Sequence, residues 1–491
     1  MVVLTKFKKC KLLVSYLEIE ISKQLIIKYK PYCKHTKIRL GTSLEHNLEA
    51  QGRDNTEYPN QAYAWYTVSV LLLAYVFSYI DRSILTLLVD PIRETLMITD
   101  LELSLLHGFA FAMFYVILGI PIARYADSHN RVRLISLGIM IWCVMTAMCG
   151  FAKTFWHMFI ARVGVGVGEA TLSPSAYAII TDYFPPHKLT RALSAYQTGI
   201  YVGTGLSMIL GSIVIANVPA IEMPFYGRME PWQVVFIMVG LPGLLVAALM
   251  YTIKEPQRRG MLVQGTASNS IPIRDAVTFI LKRRMAYGLL IGAVAAKSMA
   301  FYGVIAWIPA YFMRVHSWEV AQVGLWYGLA SIIFGILGIN SGGYFAQWLR
   351  TRGYTDSNPR VGLIALTCLS PIGIAAPLMS SPVVSLALYC GFIFFASFPV
   401  GSQAAALQEI TPNQLRAQVS AIYLFLSNIC GIALGPLVIA FFTDIVFEGD
   451  LYVNLSMATV SGITCPLGAL LFWLSLKPYR ACFESAARGY K

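Results

Sequence analysis

From residue 63 onward the chain alternates long apolar stretches with short polar or Gly/Pro-rich breaks. Windows of roughly twenty apolar residues, enough to cross a bilayer as a helix, predict twelve spans at 63–88, 101–126, 132–152, 155–183, 189–217, 231–253, 285–313, 319–348, 361–380, 382–410, 414–443 and 452–476. The stretches Val68–Tyr79 and Leu241–Ile253 are nearly unbroken and carry no charge. Strands of a membrane barrel alternate apolar and polar positions instead, so the pattern predicts helices. Two of the breaks, 152–155 and 380–382, rest on length alone, because the runs beside them are too long for one crossing.

Composition points the same way. Of 491 residues, 57% are hydrophobic and 13% charged, where a soluble domain carries about 25% charged residues. The mean hydropathy of +0.61 leaves more apolar surface than a water-soluble fold can hide, and in lipid each helix must pair its own backbone groups. The net charge of +13 comes from short basic clusters between apolar runs, which argues against nucleic-acid binding. The nine cysteines are dispersed without pairing or metal-ligand spacing, so they read as small core residues, and no metal or cofactor is expected.

The basic clusters also set an orientation. Arg124, Arg131, Arg133, Lys188, Arg191, Arg350, Arg352, Arg360, Arg416, Lys477, Arg480, Arg488 and Lys491 all fall on the side of the even-numbered connections and the tails, against Arg93, Lys153, Arg228 and Arg314 on the other. The bias predicts that both termini of a multi-pass membrane protein are cytoplasmic. Residues 1–61, with eleven Lys and Arg and an apolar stretch broken by Glu18 and Glu20, read as a flexible cytoplasmic extension rather than a cleaved signal. An N-terminal six-helix bundle is expected over 62–253, a linker over 254–284, a second bundle over 285–477 and a tail over 478–491. Within the linker, Ser270 is placed to cap an amphipathic helix with Ile273, Val277, Ile280 and Leu281 on one face and Lys282, Arg283 and Arg284 at its end.

Related punctuation recurs in both halves. Gly119-Ile-Pro-Ile-Ala-Arg-Tyr-Ala-Asp127 follows the second span and Gly342-Gly-Tyr-Phe-Ala-Gln347 the eighth; Asp182-Tyr-Phe-Pro185 with Arg191 follows the fourth and Glu409-Ile-Thr-Pro412 with Arg416 the tenth. This is the mark of an internal duplication. The segment Ala123–Asp127 with Arg131 and Arg133 resembles the signature loop of the major facilitator superfamily. The resemblance implies a gating loop in which Asp127 is the acidic member, Arg131 and Arg133 are basic members and Asp182 is the partner of Arg131. Ala123, Ser128 and Asn130 stand where that signature has glycine, a basic residue and glycine, so a thinner charge network is expected. A narrower resemblance runs from about 63 to 480. Tyr79-Ile-Asp-Arg82, Ala161-Arg-Val-Gly-Val-Gly-Val-Gly-Glu-Ala170, Ser173-Pro-Ser-Ala176 and Trp232-Gln-Val-Val-Phe236 are similar to the spinster-type branch, its bacterial members in particular.

Charges inside spans are expensive and mark pathways or ion pairs. Here they are Asp81 and Arg82 in the first span, Arg162 and Glu169 in the fourth, and Lys297 in the seventh. Arg162 and Glu169 are two turns apart, about 10 Å along the axis, and so need partners on other helices; Asp81 and Arg82 supply them if these spans meet. Burial favours the neutral acid and a guanidinium favours the carboxylate, and a group held between those influences can act as a proton switch. Spinster-type resemblance assigns proton coupling to the same acids and arginine. Asp81 and Glu169 are expected to exchange protons, with Arg162 holding the ionised form or an anionic substrate group; the competing reading is a fixed ion pair between the spans. His107 reads as a core residue, with a proton relay as the lesser alternative. Gly164-Val-Gly-Val-Gly168 follows no strand, so it is no nucleotide loop but a close helix crossing, like the glycines of the fifth and eleventh spans.

Tyr79, Arg82, Lys297, Tyr302, Gln403 and Asn428 are candidates to line a central cavity for an amphiphilic organic molecule. Together these features predict an all-α membrane protein of two pseudo-symmetric six-helix bundles, working as a monomer. It is expected to be a proton-coupled secondary carrier of an amphiphilic or lysolipid-like substrate, not an enzyme. Two alternatives stand beside it: a symporter of small organic anions such as sugar acids or organic phosphates, and a non-transporting receptor or scaffold.

Overall fold

The computed structural model describes residues 59–224, 227–257, 273–412 and 415–487. Ser270, Arg488, Lys491 and nearly all of the N-terminal extension fall outside them. Eleven helical stretches are long and apolar enough to cross a membrane: span 1 Gln61–Leu87, span 2 Asp100–Gly119, span 3 Arg131–Cys149, span 5 Arg191–Asn217, span 6 Pro231–Met250, span 7 Arg284–His316, span 8 Val320–Thr351, span 9 Ser357–Leu378, span 10 Pro382–Glu409, span 11 Gln418–Val446 and span 12 Asp450–Ala486.

The expected fourth span is not one helix. It consists of Phe155–Glu169 and Leu172–Tyr183, separated at Ala170 and Thr171. Pro174 lacks the N–H that would bond the Ala170 carbonyl, and Thr171 Oγ1 donates instead to the Gly168 carbonyl at 2.9 Å. Span 10 breaks at the matching place, with Pro382–Ser397 followed by Val400–Glu409 around Pro399. Arms of fifteen and sixteen residues before the two breaks match the duplication of the halves. Span 2 contains a π-turn, Leu105–Phe109, and span 11 contains two, Ile429–Ala433 and Phe442–Val446; the first of these packs on that of span 2 where a Cβ on Gly108 would lie 2.2 Å from the Ile432 carbonyl oxygen.

The halves also meet along spans 5 and 8. At Gly205 and Gly328 the backbones touch: a Cβ on either would fall 2.5 or 2.7 Å from the other's carbonyl oxygen. Small residues allow such approach without lipid-facing polar groups. Between spans 5 and 6 an unexpected hairpin pairs Ile221–Met223 antiparallel with Gly227–Met229. The linker helix forms over Ile273–Lys282. Val277 and Leu281 are exposed while Phe279 packs on Tyr287 with ring centroids 5.5 Å apart.

On the face of the even-numbered connections each half carries its own ion pair. Arg131 Nη1 donates to Asp182 Oδ2 at 2.5 Å. Arg350 pairs with Glu409, which also accepts from Tyr479 Oη at 2.8 Å. Arg131 opens span 3 and Arg350 lies in the last turn of span 8, so each pair ties the connection after span 2 or 8 to the end of span 4 or 10, and the repeat seen in sequence is also a repeat of contacts.

Candidate functional site

Span 1 presents Ser78, Asp81 and Arg82 at spacings of three and four residues, which share one helix face. That face meets spans 3 and 4. Glu169, fully buried as the last residue of its helix, accepts from Ser78 Oγ at 2.6 Å and Arg82 Nε at 2.5 Å, both on Oε2. A carboxylate at a helix C-terminus faces the negative end of the dipole, and the guanidinium offsets that. Asp81 Oδ2 accepts from Thr146 Oγ1 at 3.1 Å. Among the described residues, Oε1 of Glu169 and Oδ1 of Asp81 have no hydrogen-bond partner.

Arg162 does not hold Glu169. Its Nη1 donates to the backbone carbonyl of Asp81 at 3.2 Å, its Nε has no partner, and it forms no ion pair among the described residues. Two helical turns separate Arg162 from Glu169, and Arg82 comes in from span 1 to fill the place. Arg82 is in turn caged by aromatic rings, its Cζ lying 4.9, 4.6 and 4.8 Å from the centroids of Tyr79, Phe111 and Tyr115. Cation–π contacts of this kind hold a guanidinium while leaving its edge free.

Both arginines line a cavity between the halves. The N-terminal half contributes Tyr79, Arg82, His107, Phe111 and Arg162, and the C-terminal half Phe301, Tyr302, Tyr327, Ser331 and Pro436. Of the sequence candidates, Tyr79, Arg82, Arg162 and Tyr302 line it, and Asp81 and Glu169 stand behind the arginines. Lys297, Gln403 and Asn428 are not on its wall: Lys297 and Gln403 are buried within the C-terminal half and Asn428 ends a helix just before the π-turn of span 11. Arg133 is exposed. The Asp127 side chain lies outside the described residues. His107, read from sequence as core, faces the cavity because the π-turn re-aims its stretch of span 2; π-turns favour such sites but leave no sequence signal.

On the face of the odd-numbered connections an ion network ties the two halves together. Arg314, at the end of span 7, reaches Asp90 and Asp100 of the N-terminal half at 2.6 Å each. Arg93 bridges Asp100 at 3.0 Å and Asp450 at 2.9 Å, and Asp444 Oδ2 accepts from the Leu101 N–H at 2.8 Å. Asp100 is fully buried. The cavity is therefore latched on this face by charges from both halves.

Two related helical bundles with a cavity between them, mostly apolar but bearing two guanidinium groups, make a membrane transporter architecture, and the family model of the Major Facilitator Superfamily matches residues 71–436. The chain belongs to that superfamily and is an integral multi-pass membrane protein. Within it, the chain is similar to spinster-type proteins. "Sphingosine-1-phosphate transporter SPNS2" of Xenopus tropicalis is 26% identical over 411 residues, covering 79% of this chain and 76% of its own length. An "MFS-type efflux pump" of Mycolicibacterium smegmatis is 26% identical over 439 residues, 87% of this chain and 95% of its own. The "Probable L-galactonate transporter" of Escherichia coli is 24% identical over 395 residues, 77% and 83% of the two chains. In fold, a bacterial homologue of the human lysosomal transporter Spinster, crystallised inward-facing and unoccupied, aligns with a TM-score of 0.70 at 24% identity, over 87% of this chain and 98% of that one.

Proposed function

We infer that the chain is a proton-coupled secondary carrier that moves an amphiphilic anion by alternating access, in a bacterial inner membrane with both termini in the cytoplasm. The observation that carries this reading is the buried Arg82–Glu169 pair at the edge of a cavity shared by both halves. Glu169 keeps one oxygen unpartnered, the atom to which a proton adds. Protonation there removes the charge that holds Arg82 and leaves its guanidinium available to an anionic headgroup. Asp81, with its own unpartnered oxygen beside Arg162, is a second proton site of the same kind. The largely aromatic and aliphatic wall suits an acyl or sphingoid chain, in keeping with the substrate named for the Xenopus relative. A fixed pair serving stability alone is disfavoured, since apolar packing replaces such pairs at little cost.

A second reading, a small organic anion as substrate, is favoured by Arg162, a cavity-lining guanidinium engaged by no carboxylate among the described residues; a sugar acid is what the Escherichia coli relative is named for. The test is reconstitution of the Glu169→Gln variant in liposomes. Glutamine keeps the size and an acceptor oxygen but cannot ionise, so exchange of labelled lysolipid across the bilayer should persist while accumulation driven by a pH gradient disappears. Gradient-driven accumulation equal to the parent chain would refute the assignment.

A further inference from the structure

Lys297 is the one Lys, Arg, Asp or Glu within the interior of a C-terminal span; the half's other charges stand near span ends or in connections. It lies about 20 Å along the helix from the start of span 7 at 1.5 Å per residue, farther than a four-carbon stem can snorkel. The residue is 5% exposed. Among the described residues its ammonium has no ion pair and no hydrogen bond, and its charge contact is the Phe301 ring, with Nζ 5.0 Å from the centroid. Phe301 is itself part of the cavity wall beside Tyr302, so the ring against which this cation rests also borders the space that Arg82 and Arg162 line.

Keeping an unpaired cation in hydrocarbon costs several kcal/mol, and a structural cation would be expected to have a carboxylate. The interior charges are also unbalanced: Arg82, Arg162 and Lys297 face only Asp81 and Glu169. Protonating either acid raises the positive surplus, and an anion in the cavity cancels it. Ser298 Oγ and Ser427 Oγ lie 2.8 Å apart and tie span 7 to span 11 next to Lys297, where Gly431 leaves room for the Tyr302 ring. Rotation of the Phe301 side chain is a motion that opens a path to the ammonium with these helices in place.

We propose that Lys297 is a second anion contact, supplied by the C-terminal half, which takes a carboxylate or phosphate monoester of the substrate once the Phe301 ring turns aside. The substrate anion then bridges arginines of one half and a lysine of the other, and so draws the halves together. This rests on the carrier reading above, and the experiment separates the two.

Purified full-length chain in detergent is titrated with two anions, oleoyl lysophosphatidate and D-galactonate, and with their uncharged counterparts, monooleoylglycerol and galactitol. The variants are Lys297→Met, Lys297→Arg and Arg82→Ala. Lys297→Met should weaken binding of the anion by about tenfold or more, and Lys297→Arg by no more than about threefold. Neither should affect an uncharged probe. Without ligand, Lys297→Met should melt at or above the parent temperature, because an unpaired buried charge is removed. Parent-like anion binding by Lys297→Met overturns the proposal, as does equal loss of the uncharged probe, or melting of both lysine variants below the parent. Loss with Arg82→Ala but none with Lys297→Met sinks this proposal alone. If the parent chain binds neither anion, or Arg82→Ala binds as the parent does, the carrier reading fails and takes the proposal with it.

Discussion

The odd-face latch makes a quantitative prediction. Arg314 donates four hydrogen bonds to Asp90 and Asp100, at 2.8, 2.6, 2.6 and 2.9 Å. Replacing it by glutamine removes charge-assisted bonds worth about 1.5–3 kcal/mol. Asp100 is not stranded, because Arg93 Nε remains 3.0 Å from it, so the loss stays near the lower part of that range rather than the roughly 3–5 kcal/mol typical of a broken buried pair. About 2 kcal/mol shifts a two-state equilibrium roughly 30-fold toward opening on this face. The assay is pulsed electron spin resonance in nanodiscs, on a background with native cysteines replaced and spin labels at Met97 and Leu451. These residues are 87% and 64% exposed and lie beside the latch on opposite halves. Arg314→Gln should populate a longer label separation that the parent shows only weakly. Identical distance distributions in the two proteins would refute the claim that these charges hold the face shut.

Two further outcomes follow from the geometry. Arg82→Lys keeps the charge but loses the planar group stacked among Tyr79, Phe111 and Tyr115, so the initial transport rate should fall by about tenfold, roughly the 1.4 kcal/mol of a few weakened cation–π contacts; an unchanged rate would show that the cage is incidental. Gly205→Val places a Cβ 2.5 Å from the Gly328 carbonyl oxygen and 2.4 Å from Ile332 Cγ1, an overpacking that costs about 1–3 kcal/mol. A thermal melt should show the loss, and a parent-like melting temperature would mean that spans 5 and 8 do not cross this closely.

The spans were legible because lipid demands uninterrupted apolar helices, and Val68–Tyr79 can be nothing else. The interior charges were legible for the converse reason: Asp81, Arg82, Arg162 and Glu169 stand out against their surroundings. Their pairing was legible in part: the two-turn gap between Arg162 and Glu169 sends each to span 1 for a partner. The structure gives Arg82 to Glu169, while Arg162 meets the backbone carbonyl of Asp81 rather than an ionised carboxylate, a detail set by how spans 1 and 4 are rotated. The break at Pro174 was written in the sequence but masked by the length of the apolar run. Nothing local marks the odd-face latch. Asp90, Arg93, Arg314 and Asp450 look like ordinary connection charges, and only the closure of two halves distant in sequence brings them together. His107 was misjudged because a π-turn turns a helix face without changing its composition.

The central claim is that substrate and proton share one site. It is tested most directly by adding oleoyl lysophosphatidate to lightly buffered proteoliposomes that contain a pH-sensitive dye, and following substrate and proton together. Proton movement that accompanies substrate flux across the bilayer, and that vanishes in Glu169→Gln, is the result expected from the Arg82–Glu169 geometry. Substrate flux with no proton movement in the parent protein would contradict it.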